Sequence, residues 1–281
     1  MSAPGTRVVA VCVDDVGLVD GVAETVVALA GARRVSSASC LTGAPGWSGA
    51  ASVLAASQAP IELGLHFNLS EGTPRSAALR AHWPKLPGLA RLIALASLRQ
   101  LPLAAIGAEF AAQVEAFASA MGRLPSFIDG HQHVHALPGV RGVVLDAIAA
   151  WPVTPAVRNV GRVRGPGAAL KRAVIEAVGG RALQRELVAR GIAHNRTLLG
   201  AYDFSAADYG RLVRAWLAAT PDEGGLLFCH PCGGAEASGD PIASARRREA
   251  AYLASDAFVA DLDAAAVTVG AAWQRRSSSG D

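Results

Sequence analysis

The sequence predicts an α/β fold in which parallel strands alternate with helices around one barrel-like sheet, and three observations carry that prediction. The chain has 281 residues, 51% hydrophobic and only 17% charged, which suits one large domain with a sizeable core and excludes a disordered chain. Short apolar runs of the kind buried on both faces of a parallel sheet recur between alanine-rich stretches with helical spacing. Polar side chains stand where those runs end: Asp14 and Asp15, His66, the cluster from Asp129 to His135, Arg158 and His230. In a parallel barrel the C-terminal strand ends share one rim, where such folds build their sites.

Residues 8–13 form the first predicted strand, which stops at Asp14-Asp15. After Gly17, Asp20 is placed to cap a helix reaching about Arg33, with Val22, Val26 and Leu29 on its buried face. A second strand is predicted over 37–41 and a short helix over 47–55. The third strand, 61–65, ends at His66. Pro74, Pro84, Pro87 and Pro102 mark the next stretch, about 70–103, as an insertion or lid. Ile106, Phe110, Val114, Phe117 and Met121, stopped by Gly122, give the clearest amphipathic helix.

Residues 126–128 open a strand that runs into the histidine cluster, and a helix with Val140, Val143, Val144 and Ile148 then ends at Pro152. Ala156 and Val157 make a short strand ahead of Arg158. Helices follow near 168–178 and 182–190, the second stopped by Gly191. Ser205 with Asp208 resembles a capping box before Tyr209, Leu212, Val213, Trp216 and Leu217. Residues 225–229 are the last clear strand, ending at His230, and the polar tail 274–281 is expected to be loose.

The four cysteines are too few for a disulfide framework. Cys229-His230-Pro231-Cys232 fits C-x-x-C, but glycines rather than a helix follow, so the thiols are expected to be reduced and mostly buried. The first apolar run is too short for a signal-peptide core and none approaches the ~18 residues of a membrane span, so a cytoplasmic location is expected. Net charge is only +3, yet residues 73–108 hold five lysines and arginines and no acid, and 158–196 hold nine against two acids. Such local basic surface suits an anionic substrate, a phosphate or the surface of a membrane, although solvated helix faces give the same pattern.

Asp129-Gly130-His131-Gln132-His133-Val134-His135 concentrates three of the seven histidines behind one carboxylate. In an extended segment the three imidazoles would point to one face, and neutral imidazole is the commonest side-chain metal ligand. One carboxylate with two imidazoles leaves coordination positions open for water and substrate, as a hydrolytic metal site requires. A second adjacent carboxylate can act as general base, and a histidine across the site can protonate a leaving group. Taken singly, Asp15 fits a helix cap and His66 a satisfied core histidine.

Asp14-Asp15-Val16-Gly17, Gly64-Leu65-His66-Phe67-Asn68-Leu69, the Asp129–His135 cluster and Cys229-His230-Pro231 together resemble the YdjC-like (ChbG/HpnK) carbohydrate deacetylases, in order and spacing, over nearly the whole chain. The resemblance implies a distorted TIM-like (β/α) barrel and metal-dependent removal of acetyl from an N-acetylated sugar. It makes Asp15, His66 and His131 the ligands of one divalent ion, magnesium or zinc, with Asp14 as base and His230 as a catalytic or transition-state-stabilising group. Asp129, His133, His135 and Arg158 then fall to substrate contact or ligand support. Val16 stands where the family usually has an aromatic and Gly130 where serine is common.

The basic stretches differ from those of chitooligosaccharide enzymes, which leads to an expectation that the sugar sits on an anionic or lipid-linked carrier under a basic lid. A homodimer and a peripheral membrane contact are compatible partners; nucleic acid is not expected. The rival readings are an amidohydrolase-like or phosphoesterase metal hydrolase, and a sugar-binding regulatory protein on the same barrel.

Overall fold

The computed structural model describes residues 7–234, 239–271 and 273. The first half comprises β1 (Arg7–Val16), α1 (Val22–Gly31), β2 (Ser37–Cys40), α2 (Trp47–Ala56), β3 (Glu62–Phe67), α3 (Ala77–His82), α4 (Leu89–Ser97) and α5 (Leu103–Met121). Then come β4 (Phe127–Gly130), α6 (Val140–Ala149), β5 (Ala156–Val157), α7 (Ala169–Ile175), α8 (Arg181–Ala189), β6 (Leu198–Leu199) and α9 (Tyr209–Ala218). The last elements are β7 (Gly225–Cys229), α10 (Ala243–Ala254), α11 (Asp256–Ala264) and β8 (Val267–Val269).

The strands pair in parallel in the order β5-β4-β3-β2-β1-β7-β6, with β8 on the start of β1. The edges β5 and β6 form no ladder with each other, and the segments around them are joined by side-chain and single backbone contacts instead. Backbone N–H of Asn159 donates to Oδ1 of Asn195 at 2.7 Å, Nδ2 of Asn195 returns to the Asn159 carbonyl at 3.0 Å, and Val163 bridges Leu198. The result is the expected α/β architecture, a curled parallel sheet forming a distorted barrel.

Strand alternation decides what lies inside. Val9, Val11 and Val13 of β1 share a core with α1, α2 and α9, through Val22, Val26, Leu54 and Trp216. Leu65, Phe67, Ile128 and Val157 pack with Phe110 of α5 and Val144 of α6. The opposite face, Cys12, Asp14, Ser39, His66, Asp129 and Arg158, is joined by hydrogen bonds inside the barrel. Outward faces are therefore apolar and the interior is small or polar, the inverse of a barrel packed as a solid core.

Several elements depart from expectation. The 70–103 segment, expected from its prolines to lack regular elements of the barrel, holds two helices, α3 and α4, whose Leu79 and Leu92 are fully buried. The first helix has Gly21, not Asp20, at its N-cap, and that glycine is in the left-handed region with φ 88°. Asp208 alone caps α9, accepting from the Arg211 N–H at 2.8 Å, while Ser205 bonds to Asp203. β6, β8, α10 and α11 had no sequence signal strong enough to place them. The tail 274–281 lies outside the described residues.

All four cysteines are free and buried. Among the described residues no helix is long and apolar enough to cross a membrane.

Gly64 shows why one motif position carries no side chain. A Cβ there would meet the Phe127 ring of the next strand at 2.3 Å. Gly64→Ala is expected to destabilise the protein by about 1–3 kcal/mol through overpacking, read as a lower urea midpoint with an unchanged slope.

Candidate metal centre and its cleft

β1 places two neighbouring carboxylates on one rim, which strict strand alternation forbids. Asp14 continues the inward series of Ala10 and Cys12. Asp15 should point outward, but its backbone is left-handed, φ 64°, and the ladder to β2 is irregular between Val13 and Val16. This bulge re-aims the carboxylate so that both aspartates line the same cleft.

β3 and β4 supply the imidazoles. His66 is paired in register with Asp129, and its Nδ1 lies 2.7 Å from Asp129 Oδ1, leaving Nε2 3.4 Å from Asp15 Oδ1. Ser39 donates to the same Asp129 oxygen at 2.5 Å. The histidine cluster is not extended, contrary to the alternation expected. The ladder to β3 stops at Gly130, and His131–Ala136 turn sharply, with Gln132 and His133 at φ 52° and 63°. The turn sends the three histidines to three places.

His131 Nδ1 lies 3.0 Å from Asp15 Oδ1, and His133 reaches the cleft wall edge-on to Phe228. His135 turns inward and its Nε2 meets the Arg158 carbonyl at 2.9 Å, so it braces the rim away from the cleft. A side chain at Gly130 would run into that histidine, 2.8 Å from its backbone nitrogen.

Asp15, His66 and His131 present ligand atoms within 4.8 Å of one another, all buried. The donor types and the charge around them fit one divalent ion. Arg158 grips both oxygens of Asp14 at 2.6 Å and reaches Asp129 Oδ2 at 2.6 Å, and Arg246 donates to Asp15 Oδ2 at 2.8 Å. Three buried carboxylates thus face two guanidinium groups, and the remaining negative charge falls beside the two imidazoles. Cys12, Asp14 and Asp129 also converge, but the guanidinium of Arg158 fills that position.

Charge perturbation follows this geometry. Burial opposes ionisation of Asp15, yet His131 and the hydrogen bonds from both imidazoles hold its carboxyl well below the usual range. Burial would depress His66, but Asp129 and Asp14 lift it to about 10. Burial pulls His230 down to about 4. His230 is thus neutral at pH 7, borders the cleft between Phe204 and Phe228, and its Nδ1 has no hydrogen-bond partner among the described residues.

Three functional neighbours gave no sequence signal. Arg246 and Glu249 lie one turn apart on α10. Arg246 bridges Asp15 and Asp240, and Glu249 takes the His230 backbone N–H and the Tyr202 hydroxyl, each at 2.5 Å. Glu71 reaches His131 Nε2 at 3.0 Å.

The cleft measures about 530 Å³. Around the polar floor its wall is apolar, with Val19, Leu89, Val174, Phe204, Phe228 and Ile242. Of the stretch expected to form a basic lid, Leu89 lines the cleft but none of its five basic residues does, and Arg75 and Arg80 are turned onto the carbonyls of Thr42 and Pro74. Lys171 of α7 is the lysine that lines the cleft, with Nζ 4.8 Å from the centre of the Phe204 ring.

Residues 8–264 match the family described as YdjC-like protein. The chain belongs to the YdjC-like family. Over 171 residues it is 35% identical to a human carbohydrate deacetylase, an alignment covering 57% of this chain and 52% of that protein. A chitooligosaccharide deacetylase from Escherichia fergusonii is 30% identical over 133 residues, 44% of each chain. The matched stretches thus span about half the length of these curated relatives. A crystal structure from Enterococcus faecalis, with a suggested role in cellobiose-phosphate cleavage, shares the fold with a TM-score of 0.74 at 17% identity, over 95% of this chain and 97% of that one.

For this YdjC-like protein stripped of divalent ions, stability has two pH limits. The folded pKa of His66 is raised from 6.5 to about 10, so its contribution is complete below about 6.5 and is lost as pH rises through 10. His230 is depressed from 6.5 to about 4; its contribution is complete above 6.5 and is lost as pH falls through 4. Thermal midpoints of chelator-treated protein should therefore peak near pH 6.5, and added zinc should flatten the alkaline limb by replacing the proton on His66.

Proposed function

We propose that this protein is a metal-dependent carbohydrate deacetylase that hydrolyses the acetamide of an N-acetylated sugar. The observation that carries the reading is the convergence of Asp15, His66 and His131 at the floor of a cleft in a chain of the YdjC-like family. Names of partial relatives supply the reaction class: carbohydrate deacetylase and chitooligosaccharide deacetylase.

In this reading Asp15, His66 and His131 hold the ion, magnesium or zinc, which would supply Lewis-acid polarisation of the amide carbonyl and a more acidic water. The remaining work belongs to side chains. Arg158 occupies both oxygens of Asp14 and the Cys12 thiol also reaches Oδ1, fixing the carboxylate plane while Oδ2 keeps a lone pair for the proton of the attacking water. Asp129 holds His66 by Nδ1, which dictates the nitrogen presented to the site.

His230 enters the reaction neutral. A neutral imidazole can hydrogen-bond the oxyanion through its N–H as charge develops there, and can pass that proton to the departing amine while the proton that Asp14 took from water replaces it. Acetate and a free amino sugar result. The aromatic pair Phe204 and Phe228 flanks His230 and offers apolar faces to a pyranose.

The carrier reading also belongs here, moved to different residues. The apolar wall and Lys171 suit a sugar whose aglycone is apolar or bears an anionic group, and neither Arg75 nor Arg80 takes part.

Acetate release across N-acetylated sugars, free, nucleotide-linked and lipid-linked, tests the proposal alongside metal analysis. Asp14→Asn is expected to keep metal near the wild-type level and lose most turnover, at least ~10²-fold, whereas Asp15→Asn should lose metal as well. Equal metal loss in both would reverse the division between ligand and base. If the metal-loaded wild type releases no acetate from any member of the panel, the deacetylase reading falls. For the carrier, turnover of an anionic substrate that neither salt nor Lys171→Ala reduces would return the protein to neutral oligosaccharides.

A further inference from the structure

Each imidazole of the proposed ligand set has a second nitrogen that must be satisfied. For His66 the partner is Asp129, buried and held by Ser39 and Arg158. For His131 it is Glu71, whose Oε2 lies 3.0 Å from Nε2 while Nδ1 faces Asp15. The two arrangements correspond: carboxylate, imidazole, shared centre. They differ in origin, since Asp129 belongs to the barrel and Glu71 to the loop that follows β3.

A half-exposed glutamate on a loose loop would be an incidental contact, but this loop is braced. Asn68 Oδ1 accepts the N–H groups of Ser70 and Glu71 at 3.0 and 3.2 Å, and its Nδ2 donates to the Glu71 carbonyl at 2.7 Å. Asn68 is itself fixed by Gln113 of α5, which exchanges hydrogen bonds of 3.0 and 2.8 Å with its backbone N–H and carbonyl. One turn away on α5, buried Glu109 accepts the N–H groups of Arg75 and Ser76 at 2.9 and 2.7 Å and the Gln113 amide at 2.8 Å. Two buried polar side chains of α5 are thus committed to holding the stretch that carries Glu71, more than a surface loop needs for solubility.

We propose that Glu71 is the positioning residue for His131, fixing its ring by the Nε2 hydrogen bond so that Nδ1 is presented to the metal, with Gln113 and Glu109 of α5 setting the loop that delivers it. The inference rests on the reading of Asp15, His66 and His131 as metal ligands. Removing such a carboxylate typically costs 10–100-fold in metal affinity.

The test is competition between the full-length protein and a chromophoric chelator for zinc, and for cobalt as a spectroscopic probe. Glu71→Ala should weaken binding 10–100-fold and shift the cobalt visible bands. Glu71→Gln, whose amide oxygen still accepts from Nε2–H, should recover part of the loss. In zinc-loaded protein the slowly exchanging Nε2 proton of His131, visible by ¹H–¹⁵N NMR, should survive in Glu71→Gln and exchange rapidly in Glu71→Ala. Gln113→Ala should weaken binding in the same direction by less, and Glu24→Ala, on the solvent face of α1, should leave it unchanged. If wild type binds zinc, Asp15→Asn loses it, and both Glu71 variants match wild type in affinity and spectrum, the assignment of Glu71 is overturned alone. If folded wild type binds neither ion, the metal reading falls and Glu71 with it.

Discussion

The rim depends on one buried chain of alternating charge, running from Arg246 to Asp15, through His66 to Asp129, and on to Arg158 and Asp14. Each member costs several kcal/mol to bury alone, and each is tolerated because an opposite charge or a hydrogen bond meets it. The chain crosses elements far apart in sequence: β1, β3, β4, the residue after β5, and α10. It therefore fixes the relative positions of strand ends that backbone ladders leave free, since β5 and β6 are too short to lock the barrel by themselves. On the metal-centre reading, a cation held by Asp15, His66 and His131 would take the place of the proton on His66 within this chain, which would tie metal affinity to the integrity of the rim.

Aiming these groups takes backbone distortion. Asp15, Gln132 and His133 all occupy the left-handed region, with φ between 52° and 64°, and each non-glycine residue held there costs of order 1 kcal/mol or more. The distortion at Asp15 turns an outward residue inward, and the pair in the histidine turn separates three side chains that an extended strand would align. Without the first, Asp14 would have no companion carboxylate on the rim. Without the second, His133 and His135 would crowd His131. Strain and charge pairing thus act together: the ion pairs hold the conformations that local preference disfavours.

This explains which parts were legible in the sequence. The α/β alternation and the strands from residue 8 to 67 follow from hydrophobic pattern, because those strands are short runs buried on both faces between stretches of helical spacing. Asp14, Asp15, His66, the histidine cluster and Arg158 were visible because reactive side chains at strand ends are chemically conspicuous. Arg246, Glu249 and Glu71 were not. Two lie on a helix of mixed charge and the third in a proline-rich stretch, where an acid or an arginine has an ordinary solvated explanation, and only the fold reveals what each faces. The histidine alternation misled for the same reason: spacing of two implies a common face only while the strand continues, and the ladder ends at Gly130.

The cleft divides labour by origin. Its polar floor comes from strand ends and is constrained by the charge chain, so a change there disturbs neighbours on several strands. Its apolar wall comes mostly from α4, α7, the Phe204 segment and residues 239–242, which meet that chain through the Arg246–Asp240 contact, while Phe228 of β7 is the wall residue that packs against His230, His133 and the Arg158 guanidinium. Wall residues other than Phe228 can therefore change one at a time with little effect on the floor. On the deacetylase reading, chemistry falls to the strand ends and substrate choice mostly to the loops, and Glu71 stands between them, a loop residue in hydrogen-bond contact with the floor.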